Sequence, residues 1–317
     1  MRALKLALLL ASWLAGAALG ETYPQRPVRV VVPFAAGGAV DTMARALGQK
    51  LSETWKQPVI VDDRPGAGGN IAAEFVAKSP PDGYTVLITT HGFAISPSLY
   101  RKLPFDAARD FAPVTQLTSS YVVLVTNPAL PAASVPELIA LAKSKPGAVN
   151  YGSTGIGAPP HLLGELFKIT TGIDMVHVPY KGDAPLGQAL LAGEVQVAFM
   201  PLTGVLSHIQ SGRLRALGVT SATRSAVLPE VPAIAETGVP FELTGWMGIF
   251  AAAKTPPEIV AEQQREMARA VFAIRERLPA WGYEPVGSTS GQFAAKFRAD
   301  LATYAKVIRD AGIALQD

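Results

Sequence analysis

The chain has 317 residues, 49% of them hydrophobic, a formal net charge of +3 and no cysteine. That length supports a core that holds without disulfides, and it is expected to divide into two domains. The missing cysteines exclude disulfides, iron–sulfur clusters and thiol catalysis, and no basic run or stripe invites nucleic acid.

Residues 1–20, "MRALKLALLLASWLAGAALG", place Arg2 and Lys5 before an apolar run and then small residues. This is the order of a secretory signal peptide, with cleavage expected after Gly20 and a periplasmic destination. The competing reading is a membrane anchor, but the run from Leu6 to Leu19 falls short of the roughly 20 residues that span a bilayer. Without Arg2 and Lys5 the remainder is close to neutral.

"RPVRVVVPF" then reads as a β-branched strand ending at Phe34, and "AVDTMARALGQKLSETW" as a helix with apolar residues three and four apart. "PVIVDD" is a second strand. "GGNIAAEFVAKSPPDG" is a helix stopped by Pro80, Pro81 and Gly83, and "YTVLITT" is a third strand. Short buried strands alternating with helices predict a mainly parallel α/β sheet flanked by helices.

The middle of the chain repeats this grammar. "YVVLVTN" is a strand, and "SVPELIALAKSKPG" a helix with Ser134 as N-cap. "VNYGS", "DMVHVPY", "VQVAFM" and "LRALGVT" are strands separated by helices. The C-terminal part adds the strand "TGWMGIFAAA", whose Trp246 offers a fluorescence reporter, and two long helices from about Pro256 and Ser290. Phe293, Phe297, Leu301, Tyr304 and Ile308 form an apolar stripe on the last helix, and Thr289 with Gln292 has capping-box spacing. Those helices need a sheet to cover. The expected first domain is therefore discontinuous, 21–125 plus 241–317, with a second domain, 126–240, inserted between. Two crossings at one boundary make a hinge, and the cleft between the domains is the expected ligand site.

Ligands of parallel sheets bind beyond the carboxyl ends of strands. Four segments end a strand there in polar or glycine-rich sequence: Pro33–Asp41, Thr89–Phe93 with Thr90 and His91, Tyr151–His161, and Phe199–Gly204. The first and third put small residues at a strand-to-helix turn. Unpaired N–H groups at a helix start suit a carboxylate or phosphate, and glycine permits close approach. Ser153 and Thr154 add hydroxyls. The same glycines could serve only as tight turns. Asp41 reads as a helix-terminus residue in preference to a ligand contact. His161 is either a packed or capping residue or a ligand, and His91 reaches toward the cleft. His177 and His208 read as structural. No G-x-S-x-G, H-E-x-x-H or Walker lysine occurs, and the four histidines show no metal spacing. Neither a metal nor a cofactor is expected.

Six stretches taken together resemble a known family: "RPVRVVVPFAAGGAVDTMARAL", "RPGAGGNIAAEFVAKSPPDGYTVL", "SPSLYRKLPFDAARDFAPV", "NYGSTGIGAPPHLLGELFK", "HVPYKGDAPLGQALLAGEV" and "GRLRALGVTSATRSAVLPEVPAIAETG". In this order they are similar to the Bug family, periplasmic solute-binding proteins of tripartite tricarboxylate transporters. The resemblance implies a two-domain Venus-flytrap fold without catalysis. It also implies a small carboxylate ligand, a di- or tricarboxylate, an acidic amino acid or an aromatic acid, and delivery by a monomer to membrane permease subunits. It further implies a grip by backbone amides and water at Phe34, Ala36, Gly37 and Gly38, opposite Ser153, Thr154 and Gly157.

Two departures bear on specificity. Relatives often carry aspartate where this chain has Met200, and histidine where it has Phe93. Both changes imply a pocket with one carboxylate end and an apolar or aromatic far end. Two other readings stand beside transport. One is an extracytoplasmic hydrolase or isomerase using His91 or His161 beside Ser153. The other is a ligand-sensing subunit for a membrane kinase.

Overall fold

The computed structural model of the chain describes residues 23–317, so the expected signal segment lies outside the described residues. In chain order the elements begin with β1 (Val28–Val32), α1 (Ala39–Trp55), β2 (Val59–Asp63), α2 (Asn70–Ala77), β3 (Thr85–Thr90), α3 (Gly92–Leu99) and β4 (Phe111–Ser120). Next come β5 (Val122–Thr126), α4 (Val135–Ser144), β6 (Asn150–Ser153), α5 (Pro159–Thr171), β7 (Val176–Pro179), α6 (Asp183–Ala192), β8 (Val197–Pro201), α7 (Leu202–Gln210) and β9 (Arg215–Val219). The chain closes with β10 (Gly245–Ala252), α8 (Pro257–Ala273), β11 (Glu284–Pro285) and α9 (Ser290–Asp310). None of these helices is long and apolar enough to cross a membrane.

The strands form two sheets, six-stranded in the order β11-β4-β10-β3-β1-β2 and five-stranded in the order β7-β6-β8-β5-β9. Matching β1, β2, β3, β4 and β10 with β6, β7, β8, β9 and β5 makes the two orders the same. In each sheet the strands run mainly one way. The reversed strands, β10 with the short β11 and β5, pair antiparallel with their neighbours. Both β5 and β10 are the strands by which the chain enters a sheet from the other one. The likeness between the halves is therefore one of topology. It makes the loop after β1 and the loop after β6 equivalent positions.

The first crossing falls at Tyr121, between β4 and β5, and the return falls in the segment before Gly245. The expected boundary after residue 125 lies inside β5, whose whole register belongs to the five-stranded sheet.

Strand alternation explains how the first sheet is covered. Val28, Val30 and Val32 face one way, with Met43, Leu47 and Leu51 of α1 and Met267 and Val271 of α8. Val31 and Leu87 face the other way, toward α2, α3 and the aromatic stripe of α9. Phe293, Phe297, Tyr304 and Ile308 of that stripe are buried, and Leu301 packs against the same core. Thr289 and Gln292 form the capping box, and Ser134 caps α4 by accepting the Glu137 N–H at 3.3 Å. The second sheet is covered by α4 and α5 on one face and by α6 and α7 on the other.

Candidate functional site

The two sheets point the carboxyl ends of their parallel strands at a shared cavity of about 470 Å³. From the six-stranded sheet it is walled by His91 after β3, Ser120 at the end of β4 and Gly245 at the start of β10. From the five-stranded sheet it is walled by Val122 of β5, Thr154 after β6 and Pro201 of β8. Tyr121, at the crossing itself, belongs to the wall as well. A parallel sheet places its ligand in this position, and here two such sheets share one space. Among the described residues no Lys or Arg lines this cavity, and Asp183 is its only acid.

Positive potential comes instead from the backbone. Ala39, Pro159, Asp183 and Leu202 are the first residues of α1, α5, α6 and α7, and all four line the cavity. None of these helices has a side-chain N-cap hydrogen bond. Ser134 and Thr289, which do not line the cavity, show what a satisfied helix start looks like in this protein. Convergent helix N-termini form an anion site that needs no cationic side chain. Pro159 and Pro160 lack N–H groups, so α5 contributes its dipole and the amides of the loop before it.

The equivalent loops after β1 and β6 are locked in the same way. The Gly37 N–H donates to Asp41 Oδ2 at 2.7 Å, and the Gly157 N–H donates to His161 Nδ1 at 3.0 Å. In each case a glycine at positive φ (82° and 76°) is held by the side chain four positions on, in the first turn of the following helix. Arg45 holds Asp41 from the other side at 2.7 Å. Burial pulls the Asp41 carboxyl upward, but the Arg45 and Gly37 bonds outweigh it and keep it below the usual carboxylate range. Asp41 thus shapes the loop, and the Gly37 N–H is spent inside it. The N–H groups of the exposed Ala35 and Ala36 make no hydrogen bond within the described residues. They are the donors this loop offers outward.

The sequence-derived residues divide into three groups. His91 and Thr154 line the cavity. Phe34, Ala36, Gly37 and Gly38 form the β1–α1 loop that leads to Ala39, with Ala36 and Gly37 exposed and Phe34 half-buried against the core. Thr90 is half-buried at the end of β3. The rest lie beneath the surface.

Ser153 is 0% exposed, and its Oγ lies 2.6 Å from His177 Nε2. His161 stacks on His177 with ring centroids 3.9 Å apart. Neither Ser153 with His161 nor Ser153 with His177 presents a nucleophile to the cavity. Phe93 and Met200, expected at the far end of the pocket, are 5% and 2% exposed and belong to the cores instead. Phe93 turns into an aromatic cluster, and Met200 faces α6 and α7 because strand alternation in β8 puts it on the sheet face they cover, with Phe199 on the other.

An aromatic wall nevertheless exists, built by Tyr121, Trp281, Tyr283 and Tyr304. Trp281 and Tyr283 come from a turn near the C-terminus that no local pattern singles out. Trp246 is buried and donates its Nε1–H to Asp300 at 2.7 Å, so Trp281 is the indole placed to report on the cavity.

The buried imidazoles predict an acid-sensitive fold. Burial pushes His177 down to about 4, with the neighbouring His161 adding to the effect. Burial likewise pushes His91 down to about 4. Unfolding restores values near 6.5, so the unfolded chain binds more protons between those limits. Stability is complete above about pH 6.5 and is lost as pH falls toward about 4. Thermal melting across that range is expected to show a falling midpoint, and His177→Asn should reduce the slope by about one proton. A midpoint independent of pH between these limits contradicts the neutral stack.

A family profile described as the tripartite tricarboxylate transporter family receptor matches residues 43–313. The protein BugT of Bordetella pertussis is 38% identical over 93% of this chain and 92% of its own length. The solved structure "R. palustris Rpa4515 with adipate" is 38% identical, covers 93% of this chain and 100% of its own, and superposes with a TM-score of 0.73. A ligand-free TctC solute-binding protein from Polaromonas is 28% identical, covers 91% and 100%, and superposes with a TM-score of 0.83. With a profile spanning most of the chain and a relative aligned along nearly all of it, the chain belongs to the tripartite tricarboxylate transporter receptor family, in company with the Bug proteins.

Proposed function

We propose that the protein is an exported solute-binding protein that captures a small organic carboxylate between its two sheets and presents it to membrane permease subunits of a tripartite tricarboxylate transporter. The observation that carries this reading is the cavity, walled by strand ends of both sheets and ringed by four uncapped helix starts. The ligand's carboxylate meets the outward amides of Ala35 and Ala36 on one side and the Thr154 hydroxyl on the other. Its body lies against Tyr121, Trp281 and Tyr283. Water bridges the remaining gaps. The adipate-bound relative supports the ligand class.

Each sheet with its helices acts as one lobe, and the crossings at Tyr121 and before Gly245 act as the hinge. Closure follows from a ligand that touches both lobes, because such a ligand binds the closed state better than the open one. Binding without turnover is the activity, carried out by a monomer in the periplasm after removal of residues 1–20.

The test is thermal unfolding of the protein against a panel of organic acids. A cognate acid at about 100 times its dissociation constant adds about 2.7 kcal/mol of stability. It should also change Trp281 emission and be recovered chemically unchanged. No shift with any carboxylate, or conversion of the acid, sinks the proposal.

A further inference from the structure

The cavity wall carries one charged side chain that nothing in the protein uses. Asp183 opens α6, directly after Gly182, whose φ of 106° turns the chain out of β7. Its carboxylate lines the cavity and is exposed to it. Among the described residues it makes no side-chain hydrogen bond and no ion pair, unlike Asp41 and Asp62, which are tied to arginines. Lys181, two positions earlier, is exposed and does not line the cavity. Loss of hydration in the cavity wall raises the Asp183 carboxyl above its usual range, as expected for an acid without a partner.

The other walls are uncharged. The same cavity is lined by Thr154, Thr203 and the aromatic side of Tyr121, Trp281 and Tyr283. A ligand with carboxylates at both ends could satisfy one of them at the helix starts. The other would have to lie within the same 470 Å³ as Asp183, with no Lys or Arg lining the space to separate the two charges. Like charges in a partly desolvated space repel, and an acceptor facing an acceptor forms no hydrogen bond. A ligand whose far end carries an ammonium or hydroxyl meets the opposite situation and completes a charge-assisted hydrogen bond.

We infer that Asp183 is the specificity-determining residue of the cleft, selecting a monocarboxylate with a hydrogen-bond donor at its far end over a dicarboxylate of the same length. This rests on the carboxylate-binding reading above. It gives the cleft an acid at Asp183, a different position from Met200, where relatives often carry aspartate. It also separates this chain from the adipate-bound relative in ligand class.

Two matched series test it by calorimetry at low ionic strength. One is adipate, ε-aminocaproate and caproate. The other is terephthalate, para-aminomethylbenzoate and para-toluate. Each series varies only the far end. The wild-type protein is expected to bind the ammonium member of the better-fitting series about tenfold or more tighter than the dicarboxylate. Asp183→Asn keeps the size and the helix start but removes the charge. It should weaken the ammonium ligand by about tenfold and strengthen the dicarboxylate. The uncharged member should change little and serves as the internal control.

A wild-type preference for the dicarboxylate, or an unchanged preference in Asp183→Asn, overturns the inference while leaving carboxylate capture intact. Absence of binding by every member of both series, with normal melting of the protein, overturns carboxylate capture itself and this inference with it.

Discussion

Gly37→Val is expected to lose carboxylate binding by about 100-fold or more while the protein still folds. Gly37 sits at a φ of 82°, a region that costs β-branched residues roughly 1–2 kcal/mol. A β-carbon built there meets no protein atom within 4 Å, so nothing in the fold is pushed aside. The thermal midpoint should therefore fall by only about 2–8 °C for a chain of this size.

Binding suffers for two reasons. The valine relieves its strain by moving the loop, which breaks the 2.7 Å bond from the Gly37 N–H to Asp41 and turns the Ala35 and Ala36 amides away from the ligand. Its methyl groups also stand on the exposed side of the loop, where a carboxylate would approach the backbone. Gly37→Ala should give an intermediate loss. Calorimetry with the cognate acid, alongside circular dichroism, reads both effects. Tight binding by Gly37→Val refutes the role given to this loop.

Much of this was legible in the sequence because it rests on periodicity and backbone chemistry. "RPVRVVV" can only bury its valines on two faces, and the spacing of Phe293 to Ile308 fits one helical stripe. Both loops announced themselves through glycines after a strand. What one chain in isolation hides is direction and distance. β4 contains Pro113, Thr115, Gln116 and Thr118, and nothing local marks it as a strand. It is held by long-range pairing with β10. α3 carries Pro97 and lacks a strong helical signature, so Phe93 had no element to orient it. Trp281 and Tyr283 enter the cavity from far along the chain. Asp183 stood in a visible position, the first turn after Gly182, but only the cavity shows that it faces the ligand.

The shared lock of the two loops explains why the sequence overstated some contacts. Gly37, Gly157 and His161 were expected at the ligand, but the two glycine N–H groups are spent inside their own loops, on Asp41 and His161. Asp41 and His161 are different chemistries in equivalent positions, both acting as acceptors. An acceptor is what the geometry demands, because a glycine N–H must be satisfied. The anion site is left to the amides and helix starts that remain.

Phe93→Ala is expected to cost about 3–5 kcal/mol of stability, the range for truncating a buried aromatic, without changing which acids bind. Phe93 stacks on Phe297 with ring centroids 5.5 Å apart and planes 8° from parallel. It also meets Phe111, Phe250 and Phe105 at 5.0, 5.1 and 5.9 Å. These rings come from β4, β10, α9 and the segment before β4, so the ring of Phe93 ties α3 to elements far away in the chain. Removing it opens a cavity among residues that cannot close in on one another without moving the sheet. Urea unfolding should show a lower midpoint with little change in slope. Phe93→Leu should cost less, because it keeps most of the volume. Affinity in the folded fraction should stay within about twofold of wild type, since neither Phe93 nor any of the four rings it meets lines the cavity. A small stability loss coupled to a change in ligand preference would return Phe93 to the pocket wall, where the sequence had placed it.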